Sequence, residues 1–407
     1  MLTTTIWQIP KSNVKNLNKH VALDLIRFSA GGISRIELSR QLGLTRAAVT
    51  AIVGDLIDAG LVREADSHPS GGRRPINLEI NPERGYVIGV DMGATHVTLI
   101  LADHLARVIQ EKEAPLDIKE GPLVCLPKVD TLLKSWLQSV GIGIKNIAAI
   151  GVGVPGPIVA DAGMVSGPPI MPGWDNFPIQ KWLQNAWECP VNLSNDAELG
   201  TLGEWAYGAG RGVTNLVYIK VGTGIGAGLL MDGQIYRGTT GCAGEIGHIT
   251  LNEKGPLCSC GNRGCLEAMA GGRAIAQKGI EAVYYNNRTV LAEIIPPETI
   301  TARDVLSAAR RGDLISQQIV REAGYHLGTA IASMVNLINP TMVVIGGGVA
   351  QVGDLLLDPI RQMVRQRSLR VASRAVNIAA ALLGRRSSGM GGVSQAISIS
   401  LHQSAET

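Results

Sequence analysis

One histidine and three cysteines lie close together near the middle of this 407-residue chain, with the spacing His248-x9-Cys258-x-Cys260-x4-Cys265. One imidazole and three thiolates suit a closed tetrahedral Zn²⁺ site with no open position for water. The cysteines are too closely spaced for the disulfide framework of a small secreted domain. The spacing therefore predicts a structural zinc loop. The alternative is a mobile loop that carries free thiols.

Several carboxylates lie close to this loop in the sequence. Asn195 and Asp196 follow a short apolar segment, Glu245 precedes His248 by three residues, and Glu267 follows Cys265 by two. Carboxylates that accept hydrogen bonds from adjacent hydroxyls suit a neutral, polyhydroxylated ligand. The zinc would fix His248 and carry Glu267 toward that ligand. For Asn195 and Asp196 the default alternative is a helix cap or a turn.

Three glycine-rich segments follow predicted strands and are candidate phosphate or nucleoside loops. In the first, Gly93 permits a sharp turn, Thr95 offers a hydroxyl, and Asp91 has the chemistry to hold a hydrated Mg²⁺. The second would embrace the same phosphates, and the third would let an adenosine approach the backbone. Glycines also serve plain hairpin turns, so each loop alone is a weak indication. The glycine-loop residues are Gly222, Thr223, Gly224 and Gly226 in the second segment and Gly346, Gly347 and Gly348 in the third.

Each of the first two loops lies between two predicted strands. Residues 86–102 are predicted to form a strand, a tight turn and a strand, with a third strand near residues 108–114. The pattern recurs over residues 216–231. Such a recurrence predicts an internal duplication with a cleft between the two halves.

The N-terminal fifth has a different pattern. A helical segment over residues 19–30 precedes the sequence Ser34-x-x-Glu37, which predicts a capping box and a short helix. A second helix follows Thr45, and its outward face carries Arg46, Ala47 and Thr50. Small side chains let a helix enter the major groove of DNA, where Arg and Thr reach base edges and phosphates.

Two predicted strands, residues 61–64 and 76–80, follow that helix and flank a basic tip. The tip, residues 70–75, combines two glycines and a proline with Arg73 and Arg74. An extended basic finger fits the narrow, electronegative minor groove of A·T-rich DNA. The order of helix-turn-helix, hairpin and basic tip predicts a winged helix that binds double-stranded DNA.

Composition agrees with this division. Residues 1–84 contain 11 Lys and Arg against 8 Asp and Glu, which accounts for the whole net charge of +3. This distribution indicates an anionic partner for the N-terminal part and a neutral one for the remainder. An apolar fraction of 45% with 17% charged residues excludes a largely disordered chain. With no signal-like N-terminus and no apolar run near about 20 residues, we expect a cytoplasmic protein without membrane insertion.

Taken together, seven segments resemble the ROK family (repressors, open reading frames and kinases) along nearly the whole chain. In order they read DMGAT, GVPGPI, SNDAE, GTGIGAG, AGEIGH, CSCGNRGCLE and GGGV. The resemblance implies an α/β fold: a winged helix-turn-helix followed by a two-lobed, actin-like (ribonuclease-H-like) sugar-kinase fold with a structural zinc loop. We expect the winged helix over residues 1–82 and the lobes over residues 83–195 and 196–385. A final small-residue helix within residues 386–407 would pack back toward the N-terminal domain.

The resemblance also implies roles for individual residues. Asn195, Asp196, Glu245, His248 and Glu267 correspond to sugar contacts, and Asp196 corresponds to the general base of the family's Mg-ATP-dependent kinases. The first glycine loop departs from the kinase pattern D-x-G-G-T-K/N, since it has Ala94 and His96. The added methyl would crowd a phosphate, and a neutral histidine would contribute less positive field. The sequence leaves ATP binding open.

Three functions fit these expectations. The leading hypothesis is a sugar-responsive transcriptional repressor of carbohydrate uptake or catabolism genes, acting as a homo-oligomer (dimer or tetramer) on A·T-rich operator DNA. The alternative is an ATP-dependent hexose kinase, with or without a regulatory role. A third possibility is a regulator sequestered by a sugar-transport protein.

Overall fold

A computed structural model describes residues 14–29, 31–65, 76–285 and 288–406. Within these ranges the helices are all too short or too polar to cross a membrane.

The N-terminal part is a three-helix unit with a small antiparallel sheet, whose strand order is β1-β3-β2. Its elements are α1 (Val14–Phe28), β1 (Ile33–Ser34), α2 (Arg35–Leu42), α3 (Arg46–Asp58), β2 (Val62–Ala65) and β3 (Asn77–Ile80). This is the predicted winged helix-turn-helix. The basic tip with Arg73 and Arg74 lies outside the described residues.

The helix starts follow the predicted caps in part. The Ser34 hydroxyl accepts from the Glu37 N–H at 3.2 Å, and the Thr45 hydroxyl accepts from the Ala48 N–H at 3.2 Å. The carboxylate of Glu37 instead accepts from Arg40 and Gln41, one turn further along the helix. The predicted capping box is therefore only half formed, because two side-chain donors on the same face reach this carboxylate.

The remainder of the chain forms two five-stranded sheets, one in each lobe. The first lobe contains β4 (Tyr86–Met92), β5 (His96–Asp103), β6 (Val108–Pro115), α4 (Pro122–Ser139), β7 (Ile147–Val154), β8 (Ile158–Val159), β9 (Met164–Val165), α5 (Ile179–Trp187) and β10 (Val191–Asn195). The long helix α6 (Asp196–Tyr207) then leads to the second lobe.

The second lobe carries its helices mostly between its third and fourth strands. Its elements are β11 (Leu216–Val221), β12 (Ile225–Met231), β13 (Gln234–Tyr236), α7 (Leu266–Ala270), α8 (Gly272–Tyr285), α9 (Ala302–Arg310), α10 (Leu314–Ile338), β14 (Met342–Gly346), α11 (Asp354–Arg367), α12 (Arg370–Ala375) and β15 (Asn377–Ala380). The chain then returns to the first lobe as α13 (Ser387–Glu406).

The two sheets repeat one topology. Their strand orders are β10-β7-β4-β5-β6 and β13-β12-β11-β14-β15. In each sheet the first three strands form an antiparallel meander, and the last two strands add in parallel beside the first strand. This repeat is the duplication that the recurring strand–loop–strand pattern predicts.

Helix α13 lies in backbone contact with its neighbours because glycines face each other. A Cβ on Gly89 of β4 would collide with the Gly389 carbonyl, and one on Gly151 of β7 would collide with the Gly392 carbonyl. A Cβ on Gly391 would meet the Leu199 carbonyl of α6 in the same way. Side chains would force these elements several ångströms apart, so the small residues of α13 are needed for this packing.

The winged helix shares a hydrophobic core with this helix. Buried residues of α1, α2 and α3 belong to one cluster with Val393 and Ile397 of α13 and with Val87 and Ile100 on the sheet behind it. The DNA-binding unit is therefore packed onto the first lobe through α13.

One histidine ties α13 to the turn after β5. His104 is fully buried, with Nδ1 3.2 Å from the Gly85 carbonyl and Nε2 3.0 Å from the Ser400 hydroxyl. Burial lowers the pKa of His104 to about 4, and Arg84 and Arg27 lower it further against the raising effects of the Gly85 carbonyl and Asp103.

We expect the free energy of unfolding to fall as the pH decreases from about 6.5 to about 4. The unfolded chain takes up a proton on His104 near pH 6.5 and the folded chain only near pH 4. Above about pH 6.5 the protonation of His104 does not lower the free energy of unfolding. Between about pH 6.5 and pH 4 it lowers this free energy by an amount on the order of 3 kcal/mol. Denaturant unfolding at several pH values measures it. The His104→Leu variant is expected to lack this component, and an identical pH profile in the variant would contradict the assignment.

Candidate functional site

The four predicted metal ligands come together at one place. His248 ends a single 3₁₀ turn after Glu245, the cysteines lie on the loop that follows, and Cys265 caps α7. The ligand atoms of His248, Cys258, Cys260 and Cys265 all lie within 4.8 Å of one another.

The spacing of these atoms fits a tetrahedral zinc ion. Zn–S bonds of about 2.3 Å and Zn–N bonds of about 2.0 Å place two ligands of a tetrahedron roughly 3.5–3.8 Å apart. The sulfurs of Cys260 and Cys265 are 3.7 Å apart, and Nδ1 of His248 is 3.6 Å from the sulfur of Cys258. Such sulfur separations are far from the ~2.05 Å of a disulfide. The residues therefore fit a structural metal ion that would hold the loop closed.

His248 connects this cluster to the candidate sugar site. Its Nδ1 faces the cysteines, and its Nε2 lies 3.9 Å from the carboxylate of Glu245. Burial, together with the charges of Asp196 and Glu267, raises the pKa of Glu245 to about 7. Glu245 thus lies close enough to Asp196 and to Glu267 for their charges to act on it.

Glu267 lies at the meeting point of three elements. Its Oε2 accepts from the Ile225 N–H at 3.0 Å, and its Oε1 accepts from the Ser259 hydroxyl at 3.3 Å. A Cβ on Gly224 would collide with the Glu267 carboxylate. This side chain therefore joins the metal loop, α7 and the second glycine loop.

Asn195 serves as a helix cap. Its Oδ1 accepts from the N–H groups of Ala197 and Glu198, at 2.8 and 3.2 Å, and its Nδ2 donates to the Gly156 carbonyl at 3.0 Å. Both lone pairs and one N–H are thus used within the protein, which leaves one amide N–H for a ligand. The default cap interpretation holds for Asn195, and its capacity for a sugar is limited to one donated hydrogen bond.

Asp196 forms an ion pair that the sequence reasoning missed. The Lys220 Nζ lies 2.9 Å from Oδ2 of Asp196 and 3.0 Å from Oδ2 of Asp91. Burial raises the pKa of Asp196, while the Lys220 ammonium acts in the opposite direction. Burial also disfavours the ammonium, but Asp196 and Asp91 outweigh it and place the pKa of Lys220 above its ordinary value. The available signal was a single lysine within the apolar strand segment of residues 216–221.

The glycine loops use several of their backbone groups internally. The Gly93 N–H donates to the His96 carbonyl at 2.9 Å, and the Gly222 N–H donates to the Gly224 carbonyl at 2.9 Å. The Thr95 hydroxyl lies 3.3 Å from Nδ1 of His96. These two N–H groups are therefore committed to turns.

Other glycines in these loops are needed for packing. A Cβ on Gly346 would collide with the ring of Tyr218, and Gly347 has a positive φ of 87°. Gly222 and Gly348 face open space, while Gly226 lies within contact range of Ala197. Thr223 forms the turn between β11 and β12. Packing and turn geometry therefore account for Gly346 and Gly347, while the open space at Gly222 and Gly348 leaves the predicted nucleotide role of these two as a prediction.

The predicted DNA-contacting residues on α3 share one exposed face. Arg46, Ala47, Thr50 and Ala51 are exposed, while Val49, Ile52, Val53 and Leu56 are buried. The Thr50 hydroxyl donates to the Arg46 carbonyl at 2.8 Å, which leaves its oxygen as an acceptor. The face is small and carries one positive charge at its leading end, as predicted.

Two family profiles match the chain. Residues 87–398 match the ROK family, and residues 29–63 match a winged helix-turn-helix DNA-binding family. The chain belongs to the ROK family. Its N-terminal domain is a winged helix-turn-helix, and its body has the ROK sugar-kinase-like α/β fold.

Two relatives that span both domains of this ROK protein are regulators. The xylose repressor of Caldicellulosiruptor bescii is 34% identical over 87% of this chain and 89% of its own length. A crystal structure of a ROK family transcriptional regulator, a homolog of the E. coli MLC protein, covers 96% of this chain and 98% of its own, with a TM-score of 0.80 and 27% identity. A glucokinase of Halalkalibacterium halodurans, 35% identical, covers 76% of this chain and 94% of its own length. The domain organisation therefore favours the regulator over the kinase.

We expect the purified protein to contain one zinc ion per chain, and Cys260→Ser to lower the zinc affinity more than about 100-fold, since even outer-shell changes cost 10–100-fold. Metal analysis after dialysis measures the content, and thermal unfolding with a chelator measures the effect on stability. Cys242→Ser is the matched control, because Cys242 is exposed and lies outside the cluster. A Cys260→Ser protein that keeps its zinc would contradict the assignment.

Proposed function

We propose that this ROK protein is a sugar-responsive transcriptional repressor of carbohydrate uptake or catabolism genes. The observation that carries the proposal is the presence in one chain of an exposed face of small residues on α3 and of a carboxylate group in which Asp196 and Glu267 both act on Glu245. A kinase would not need the first feature, and a constitutive DNA-binding protein would not need the second.

On the DNA side, the protein acts as a homodimer on a pseudo-palindromic operator. Arg46, Ala47 and Thr50 enter the major groove, and the basic tip with Arg73 and Arg74 follows the minor groove of A·T-rich flanks. The local support is the exposed, small α3 face, since longer side chains there would keep the helix away from the base edges.

On the sugar side, the cleft offers mostly acceptors. Asp196, Glu245 and Glu267 accept hydrogen bonds from hydroxyls, while Asn195 and His248 supply N–H donors. Xylose, glucose and N-acetylglucosamine are the first ligands to test, because relatives of this chain carry the names xylose repressor, glucokinase and N-acetylglucosamine repressor.

The sugar signal has a direct structural route to the DNA-binding domain. Helix α6 begins at Asp196 in the cleft and ends at Tyr207, roughly 16 Å away at a rise of 1.5 Å per residue. The Tyr207 hydroxyl accepts from the Arg27 guanidinium of α1 at 2.7 Å. The same guanidinium donates to the carbonyl and hydroxyl of Ser394 on α13, at 2.8 and 2.7 Å.

Helix α13 provides a parallel connection. Its Ser388 hydroxyl donates to the Asp196 carbonyl at 2.8 Å, at the cleft end of α6. A movement of Asp196 on sugar binding therefore reaches Arg27 through two packed helices. A coupling free energy of about 1–3 kcal/mol is enough to change operator affinity roughly 5- to 150-fold.

We expect Arg46→Ala to weaken operator binding by about 1–3 kcal/mol, because it removes the positive side chain at the leading end of α3. Fluorescence anisotropy with the protein's own upstream DNA and with random DNA, at several salt concentrations, measures it. Arg303→Ala, an equal change of charge at an exposed position of α9, is the control and should bind as the wild type does. Wild-type protein with no preference for its own upstream DNA, with or without sugars, would refute the proposed function.

We expect Arg27→Ala to bind sugar normally but to lose most of the sugar-dependent change in operator affinity. The variant removes the donor that joins α1 to both α6 and α13. Calorimetry measures sugar binding, and anisotropy with and without sugar measures the ratio of operator affinities. Arg40→Ala is the control, since Arg40 pairs with Glu37 on its own helix. An unchanged ratio in Arg27→Ala would exclude this route.

A further inference from the structure

The ammonium of Lys220, on β11 of the second lobe, contacts Asp91 on β4 of the first lobe and Asp196 at the start of α6. It donates to Oδ1 and Oδ2 of Asp91 at 3.1 and 3.0 Å, and it lies 2.9 Å from Oδ2 of Asp196. The Ser388 hydroxyl is a further neighbour at 3.2 Å. The side chains of Lys220, Asp91 and Asp196 are only 19%, 7% and 15% exposed, so water contributes little to neutralising these charges.

We propose that Lys220 is a built-in counter-ion that takes the place of a magnesium–nucleotide complex, so that the cleft binds its ligand without ATP. The inference rests on the proposed function in so far as that ligand is a sugar. In this proposal, Lys220 is the residue that distinguishes a sugar sensor from a sugar kinase of the same fold.

The cleft residues do not fit Mg-ATP. Mg²⁺ requires oxygen ligands at 2.0–2.1 Å in near-ideal octahedral geometry. In this cleft both oxygens of Asp91, the carboxylate suited to the metal, face an ammonium at hydrogen-bond distance. A divalent cation on Asp91 would have to displace this ammonium, because the two cations repel each other and compete for the same carboxylate oxygens.

The surrounding loops agree with this conclusion. The N–H groups of Gly93 and Gly222, which a phosphate would use, already donate to carbonyls within their own turns. Asp196 has a positive partner without any added ion, and it remains an acceptor for a hydroxyl of the ligand.

The position of Lys220 also matters for the lobes. Asp91 lies near the end of the central strand β4 of the first sheet, and Lys220 lies near the end of β11, the equivalent strand of the second. The contact therefore joins the two lobes directly through their central strands.

The first test uses the wild-type protein. Calorimetric titration with Mg²⁺ and a non-hydrolysable ATP analogue, with and without a saturating sugar, is expected to show no binding at concentrations where the sugar saturates. Nucleotide binding with an affinity comparable to that of the sugar would overturn the proposal.

The second test uses substitutions at Lys220. Lys220→Ser leaves two neighbouring carboxylates without their cation, so we expect a lower melting temperature that Mg²⁺ alone raises by several degrees. The matched variant Lys220→Arg keeps the charge and is expected to respond to Mg²⁺ as weakly as the wild type does. Equal stabilisation of all three proteins by Mg²⁺ would overturn the proposal.

A double variant covers the case in which Lys220→Ser does not fold. Lys220→Ser combined with Asp91→Asn removes one carboxylate along with the cation, and it is expected to recover much of the lost melting temperature without responding to Mg²⁺. A double variant as unstable as the single one would contradict the counter-ion role.

Operator binding and its response to sugar, measured on the same wild-type preparation, separate the two proposals. Nucleotide binding together with an intact sugar response would refute only the role of Lys220. Loss of both operator preference and sugar binding would refute the proposed function, and the nucleotide titration would still decide the question of Lys220.

Discussion

The structure depends on the close packing of α13 against α6 and the first sheet. Glycines on both sides of these contacts bring backbone within reach of backbone, and any side chain at Gly391 would collide with the Leu199 carbonyl. This packing places the last helix of the chain at the centre of the molecule. One end of α13 contacts the cleft through Ser388, and its outer face belongs to the hydrophobic core of the winged helix. The cleft and the DNA-binding domain are therefore parts of one packed unit.

The chemistry of the cleft depends on which of its charged side chains already have a partner of opposite charge within the protein. A kinase of this fold would need Asp91 and Asp196 available to metal and substrate, but Lys220 pairs with both. The metal loop, by contrast, has ligand atoms at tetrahedral spacing, and it positions His248 and Glu267 beside Glu245. The candidate site thus combines carboxylates with an internal cation, an arrangement that would suit a neutral ligand.

The features of the fold that the sequence predicts well are those that depend only on residues close together in the chain. The caps at Ser34 and Thr45, the apolar period of α3 and the spacing of the four metal ligands each lie within a short segment. The repeated strand–loop–strand pattern was also readable, because strands of one sheet share alternation and turn signals. Prediction was wrong or incomplete where a side chain found a different hydrogen-bond partner. The Glu37 carboxylate accepts from Arg40 and Gln41 instead of closing the capping box. The amide of Asn195 is mostly used by its own helix and by the Gly156 carbonyl.

The sequence by itself determined that the chain combines a winged helix, a duplicated α/β body and a Cys₃His metal loop, because periodicity, turn chemistry and ligand spacing act over a few residues. Only the tertiary structure decided which charges meet. Asp91, Asp196 and Lys220 are separated by up to 129 positions along the chain, and their pairing depends on how two sheets are placed across a cleft. It likewise decided that Arg27 reaches Tyr207 and Ser394, since long-range contacts of this kind arise from helix packing and leave no local pattern in the sequence.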